Sequence, residues 1–164
     1  MPQTTPICWN EIDTVLVDMD GTLLDLAFDN YFWLELVPRE YARARGLDAA
    51  EAERQVLARY ASVAGSLAWY CVEHWTRELD LDIAELKWRH RHRIAYLPGA
   101  RHFLAAMRSL GKHVRLVTNA HPRALAIKLE QTQLEREVDS LVSSHDVGAP
   151  KEKPEFWTRF AAQR

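Results

Sequence analysis

Two aspartates, Asp18 and Asp20, follow the apolar run Thr14-Val-Leu-Val17 and precede Gly21-Thr22. Two carboxylates held together at a strand end repel one another, and burial raises the cost of ionising both. A divalent cation offsets that repulsion, and Mg²⁺ prefers oxygen donors of this kind, which makes Asp18 and Asp20 candidate metal ligands. One carboxylate can attack phosphorus as a nucleophile. The other can act as general acid and then as base, its proton affinity raised by its neighbour. Gly21 lets the backbone turn sharply, and Thr22 can hydrogen-bond back to hold the loop. Thr118 ends the apolar run Val114-Arg-Leu-Val117, just ahead of a helix that Pro122 would open, a setting that suits a phosphate oxygen. Lys151 offers positive charge to a phosphoryl group in transfer. Each has a plainer reading when taken singly. Asp-Gly is ordinary in a solvated turn, Thr118 could be a cap or turn residue, and Lys151 a surface lysine. Their order along the chain is what joins them.

The elements that would position these residues fall into three parts. Thr14–Met19 reads as a short buried strand, with charge appearing abruptly at Asp18, Asp20 and Asp25. From Leu26 to Ile94 the pattern is helical throughout, with Val56, Tyr60 and Val63 at helical spacing. Asp48 before Glu51 and Asp82 before Glu85 are capping-box-like starts, and Pro38, Gly46 and Gly65 punctuate. The third part alternates. Pro98-Gly99 opens a helix whose apolar face is Phe103, Leu104, Met107 and Leu110, ended by Gly111. Lys112–Thr118 is a second strand. A helix from Pro122 carries Leu125, Ile127, Leu129 and Leu134, Asp139–Ser143 is a third strand, and Pro154–Arg164 a last helix. Strands separated by helices imply a parallel, doubly wound sheet, whose ligand site lies beyond the carboxyl ends of the strands. Asp18 and Asp20, Thr118 and Asn119, and Lys151 all fall there.

The chain has 164 residues, one domain's worth, and is 48% hydrophobic and 27% charged. That composition excludes collagenous, low-complexity and disordered classes. Twenty-one Lys and Arg against 23 Asp and Glu give a net charge of −2, which calls for no polyanionic partner. No nucleic-acid or membrane partner is expected, and the oligomeric state is open. The opening MPQTTPICWNEID lacks the pattern of a secretory signal, and the uncharged run Ala61–Val72, at 12 residues, is too short to span a bilayer. Cys8 and Cys71 lie far apart and match no metal or redox spacing, so a reduced, cytoplasmic chain is the expectation. The six Trp read as core aromatics. His74, His90, His92, His102, His113 and His145 form no metal-ligand spacing, and His121 reads as a cap for the helix at Pro122. Lys87-Trp-Arg-His-Arg-His-Arg93 is a basic cluster that reads as a solvated helix with its Trp turned inward.

Val-Leu-Val-Asp18-Met-Asp20-Gly-Thr22-Leu-Leu-Asp resembles motif one of the haloacid dehalogenase superfamily. Leu-Val-Thr118-Asn119-Ala resembles its second motif, and Ala-Pro-Lys151-Glu its third. The resemblance implies an α/β fold, a HAD-like Rossmannoid parallel sheet formed by residues 1–25 and 95–164, with an all-helical cap, residues 26–94, inserted after the first strand. Within the superfamily, the segments Leu-Asp25-Leu-Ala-Phe28-Asp29-Asn30-Tyr31-Phe32-Trp33, Trp69-Tyr70-Cys71 and Thr118-Asn-Ala-His121-Pro122 resemble the bacterial GMP/IMP nucleotidases.

That resemblance implies an Mg²⁺-dependent phosphomonoesterase acting on purine nucleoside 5′-monophosphates. Asp18 would form an aspartyl-phosphate, and Asp20 would protonate the leaving oxygen and then activate water. The Asp18 side chain and the Asp20 main-chain carbonyl would hold Mg²⁺, and Thr118 and Lys151 would bind phosphoryl oxygens. Gly21, Thr22, Asn119, Asp29 and Asn30 are the remaining candidate substrate-binding residues, the last two by hydrogen bonds to base or ribose. Phe28, Tyr31, Phe32 and Trp33 fit either stacking on a purine or a buried helix face. Other small phosphatases, for sugar or glycolate phosphates, and a non-catalytic remnant are the alternatives. The superfamily's fourth motif, an acidic strand end completing the Mg²⁺ site, should follow Lys151 after a helix and a strand. Residues 152–164 contain no Asp. The sequence therefore reads as C-terminally truncated, with strand one left an apolar edge and phosphoryl transfer impaired.

Overall fold

The computed structural model describes residues 7–163. Residues 1–6, assigned above to the sheet unit, and Arg164, assigned to the last helix, lie outside the described residues. Strands β1 (Thr14–Val17), β2 (His113–Thr118) and β3 (Ser140–Ser143) form a parallel sheet in the order β1-β2-β3. Register is set by Val15 opposite Val114 and Leu116 opposite Leu141. β2, in the middle, is the strand buried along most of its length, as a parallel strand covered by helices requires, whereas β1 buries Val17 and β3 buries Val142 and Ser143. β1 is shorter than expected, because the chain leaves the ladder at Asp18. Its outer margin is unpaired among the described residues, and Leu16 there is 45% exposed.

Between β1 and β2 the chain is helical, in α1 (Ala27–Tyr31), α2 (Val37–Arg45), α3 (Ala49–Val63), α4 (Leu67–Tyr70), α5 (Val72–Leu79) and α6 (Ile83–Arg89). Asp48 and Asp82 accept the Glu51 and Glu85 N–H groups at 3.0 Å each, which starts α3 and α6 as their spacing suggests. The complete, reciprocal capping box lies elsewhere, at Ser143 and Asp146. Pro38 does not break the chain into separate helices. A π-helical turn, Phe32–Leu36, joins α1 to α2, and the wider turn accepts a residue without an N–H. The chain enters and leaves this helical block side by side, where Asp25 N–H bonds the Ala95 carbonyl and Leu97 N–H bonds the Leu23 carbonyl, both at 2.9 Å. Trp75 is the largest fully buried side chain, edge-on to Tyr60 and Trp69 with ring centroids 5.0 and 6.1 Å away. Trp157, by contrast, is 43% exposed, because it projects from the outer face of its helix.

The rest of the chain forms α7 (Ala100–Ser109), α8 (Pro122–Thr132), α9 (Ser144–Val147) and α10 (Pro154–Ala162). Leu104 and Met107 bury the face of α7, but Leu110 lies beyond the helix end and is exposed. α10 covers one face of the sheet with Phe156 and Phe160 against Val117 and Val142, while Val17, Val114 and Leu116 join the main core on the other face. Among the described residues no helix is long and apolar enough to cross a membrane.

Candidate active site

Each strand delivers one part of the site at its carboxyl end. Asp18 follows β1 directly. Both its polar contacts fall on Oδ1, which accepts a hydrogen bond from the Met19 N–H at 2.8 Å and forms an ion pair with Lys151 Nζ at 2.7 Å. Oδ2 has no donor among the described residues. Gly21 carries the turn at φ +75°, and a Cβ there would meet Leu26 Cδ1 at 3.1 Å. Thr118 ends β2 and is buried; its Oγ1 accepts the Ala120 N–H at 3.0 Å, which leaves the hydroxyl proton to donate. Lys151 lies beyond β3, its ammonium also bonded to the Val117 carbonyl at 2.8 Å. Asn119 holds that loop in place. Its Oδ1 accepts the Lys151 N–H at 2.9 Å, and its Nδ2 donates to both Glu152 oxygens at 2.9 and 3.0 Å.

A cavity of about 330 Å³ opens between these strand ends and the helical block. Asp18, Asp20, Thr118, Asn119 and Lys151 line it from the sheet side, and Asp29, Trp33, Trp69 and Tyr70 from the helical side. Tyr70 Oη donates to Glu152 Oε1 at 2.9 Å across the rim, and burial followed by the Glu152 carboxylate pushes the phenol up to about 12. Gly21, Thr22 and Asn30 do not line this cavity. Thr22 faces a separate groove beside β1 and α7, and Asn30 lies on the exposed side of α1, about 200° around the helix from the buried Phe28. Phe28 and Phe32 are fully buried, leaving Trp33 as the cavity's aromatic wall from that stretch.

Two buried lysines stand behind the carboxylates: Lys128, which no motif in the sequence marks, and Lys87, read from the sequence as part of a solvated basic cluster. Lys128 on α8 places Nζ 2.6 Å from Asp20 Oδ1 and 2.6 Å from Asp29 Oδ2. Lys87 on α6 lies 3.4 Å from Asp29 Oδ1 and over the faces of Phe32 and Trp33, at 4.0 and 5.0 Å. The basic-cluster reading is thus corrected at Lys87, which sits one turn beyond Ile83 on the inward face and is buried, not solvated. Trp88 of the same cluster is half-buried under Arg91. Burial raises the Asp20 carboxyl above its ordinary range, outweighing the opposing pull of Lys128. Burial also opposes ionisation of Asp29, but the Lys128 and Lys87 ammoniums outweigh it and hold that carboxyl low. Burial lowers Lys87 to about 8, whereas at Lys128 the two aspartates more than offset the same penalty. The signal for Lys128 was its place on an apolar stripe, one turn after Ala124 and one before Thr132, both buried.

The donor set at Asp18 and Asp20 is all oxygen. Mg²⁺ binds through one or two carboxylates, substrate phosphate and retained waters, so the Asp18 carboxylate and the Asp20 carbonyl fit it as two of its donors, short of the further acidic ligand that the superfamily resemblance implies. Chemically, the arrangement offers an uncommitted carboxylate oxygen, a carboxyl with raised proton affinity, a hydroxyl donor and an ammonium around one cavity.

The model of the haloacid dehalogenase-like hydrolases matches residues 12–163. The chain is 44% identical over 151 residues to GMP/IMP nucleotidase YrfG of Escherichia coli (strain K12), covering 92% of this chain and 68% of that protein, and equally so to its Shigella flexneri counterpart. Among solved structures, the HAD phosphatase of Thermococcus onnurineus superposes with a TM-score of 0.77 at 26% identity, covering 92% of this chain and 72% of that one. The L-2-haloacid dehalogenase of Xanthobacter autotrophicus, at 18% identity, TM-score 0.55 and coverage of 93% and 64%, shares the fold.

Proposed function

The chain belongs to the haloacid dehalogenase-like hydrolases, and from that premise we propose that its cavity hydrolyses the phosphomonoester of purine nucleoside 5′-monophosphates. The observation that carries this reading is the 2.7 Å pairing of Asp18 Oδ1 with Lys151, which leaves Oδ2 as the attacking oxygen. Asp18 Oδ2 forms a bond to phosphorus while the ester P–O bond breaks. The departing 5′-oxygen takes the proton of Asp20, whose raised affinity keeps it available. Water then attacks phosphorus, gives its proton to the Asp20 carboxylate, and releases phosphate from Asp18. Lys151 and the Thr118 hydroxyl bear the charge that develops on the phosphoryl oxygens. When bound by Asp18 and the Asp20 carbonyl, Mg²⁺ supplies further charge neutralisation there. Residues 26–94 act as a cap over the sheet unit, and Trp33 and Trp69 provide the aromatic faces that favour a purine. The name of the Escherichia coli relative, a GMP/IMP nucleotidase, supports this substrate class.

The test is tryptophan fluorescence of the purified chain, titrated in Mg²⁺ with GMP, IMP, glucose 6-phosphate and 2-phosphoglycolate, alongside phosphate release. Saturable binding of GMP and IMP is expected, with phosphate release that is slow, as an Mg²⁺ site short of its further acidic ligand implies, and that is abolished in Asp18→Asn at unchanged Tm. Tenfold better use of either non-nucleotide ester overturns the substrate assignment, and normal release by Asp18→Asn overturns the nucleophile.

A further inference from the structure

Beside the cavity mouth, four side chains from separate elements converge. Cys71 links α4 to α5, Glu73 lies in the first turn of α5, His121 caps α8, and His145 begins α9 beyond β3. One ligand atom each from Cys71, His121 and His145 lies within 4.8 Å of the others. Glu73 Oε2 is 2.7 Å from His121 Nε2 and 3.7 Å from Cys71 Sγ. The two imidazoles meet edge-on with ring centroids 4.6 Å apart. Both ring nitrogens of His145 are buried and have no hydrogen-bond partner among the described residues. A buried imidazole without a partner is unusual, and metal ligation is one of the few ways to satisfy it.

We propose that Cys71, Glu73, His121 and His145 form a tetrahedral Zn²⁺ site that joins the helical block to the sheet unit. The donor types are those of zinc: one thiolate, two neutral imidazoles and one carboxylate. Their charges sum to −2, so the bound ion makes the half-buried cluster neutral. Zn–S and Zn–N bonds of about 2.3 and 2.0 Å place tetrahedral donors roughly 3.3–3.7 Å apart, so closure needs side-chain movements of about 1 Å. Glu73 is already oriented, since Arg123 Nη1 lies 3.5 Å from its Oε1 and leaves Oε2 toward the cluster. Ligation through His121 Nε2 moves the remaining ring proton to Nδ1 and gives up the 3.3 Å contact with the Arg123 N–H, a long and weak bond. The Asp18 and Asp20 site is distinct in chemistry, being all oxygen, and suits Mg²⁺ instead.

Two measurements on the full chain test this. Calorimetric titration with ZnCl₂ in excess Mg²⁺ should give one Zn²⁺ per chain, and replacement by Co²⁺ should give a thiolate-to-cobalt charge-transfer band. Cys71→Ser should abolish the band and weaken Zn²⁺ on the order of 100-fold, and His145→Ala should weaken it by at least about tenfold. Asp18→Asn should leave both readouts unchanged. Absence of the cobalt band in the unaltered chain overturns the site without recourse to any variant. So does Zn²⁺ binding lost in Asp18→Asn but kept in His145→Ala.

Discussion

Replacing Lys128 by Met removes the cation that, among the described residues, contacts both Asp20 and Asp29. At 2.6 Å and an effective dielectric of 20, each contact is worth about 6 kcal/mol before desolvation is subtracted. Most of that offsets the burial of the lysine, but the variant leaves two carboxylates buried with Lys87 as their single nearby cation. Breaking a buried pair in this way costs about 3–5 kcal/mol. In a chain of this size that lowers Tm by about 6–20 °C. The pH dependence has a definite sign. In the unaltered protein the Asp29 carboxyl is held low, so its contribution is present above the unfolded pKa of about 3.9 and is lost as pH falls through its folded value. In Lys128→Met the carboxyls are raised instead, so the variant gains stability relative to the unaltered protein as acid protonates them. Urea unfolding at pH 7 and pH 4.5 should therefore show a large deficit at pH 7 that shrinks in acid. Lys128→Met/Asp29→Asn should recover part of the loss at pH 7. A deficit under 1 kcal/mol at pH 7, or one that grows in acid, would refute the view that Lys128 balances the two aspartates.

Lys87→Met should behave oppositely, because Asp29 retains Lys128 and an apolar chain of similar length suits the Phe28, Phe32 and Trp33 surroundings. It should be neutral or mildly stabilising at pH 7, because burial disfavours the charged form of Lys87. With Lys87 lowered to about 8 against about 10.5 when unfolded, its cost is full below pH 8 and fades above, so the unaltered chain should gain on the variant in calorimetry between pH 8 and 10. Trp75→Ala, at a fully buried ring touching Trp33, Tyr60 and Trp69, should cost about 3–5 kcal/mol by urea denaturation. Gly21→Ala should cost about 1–2 kcal/mol from φ +75° and from the 3.1 Å approach to Leu26, and should weaken phosphate release more than it weakens folding, since the turn aims Asp20.

The three strands were legible because each is a short run with apolar Val or Leu at its centre ending in polar residues, and the helices between them because their caps and apolar spacing agree. The helix α9 was not, since Ser144–Val147 is too short for periodicity to register. Pro38 misled as punctuation, because nothing local announces a π turn. At the site, Asp18, Asp20, Thr118 and Lys151 could be read from motif spacing, and the structure brings them to one cavity. Lys128 and Lys87 could not be read that way, because a lysine on an apolar stripe declares its burial only once its carboxylate partners are known. Lys128 contacts Asp20 across 108 positions of chain. The Cys71, Glu73, His121 and His145 cluster is hidden for the same reason, as its members come from three separate stretches of the chain.

The π turn at Phe32–Leu36 sets two helical frames against one another. Ahead of it Asp29 is committed to the lysines, and beyond it Val37 is buried and Tyr41 bonds Gln55 of α3 at 3.1 Å. Each residue of helix turns the frame by about 100°, so deleting one residue here would rotate α2 off its seat on α3 or pull Asp29 away from its cations. The surplus residue is therefore a spacer that phases the catalytic wall to the outer scaffold. At Phe32–Leu36 the number of residues is thus held more tightly than the identity of the exposed ones among them.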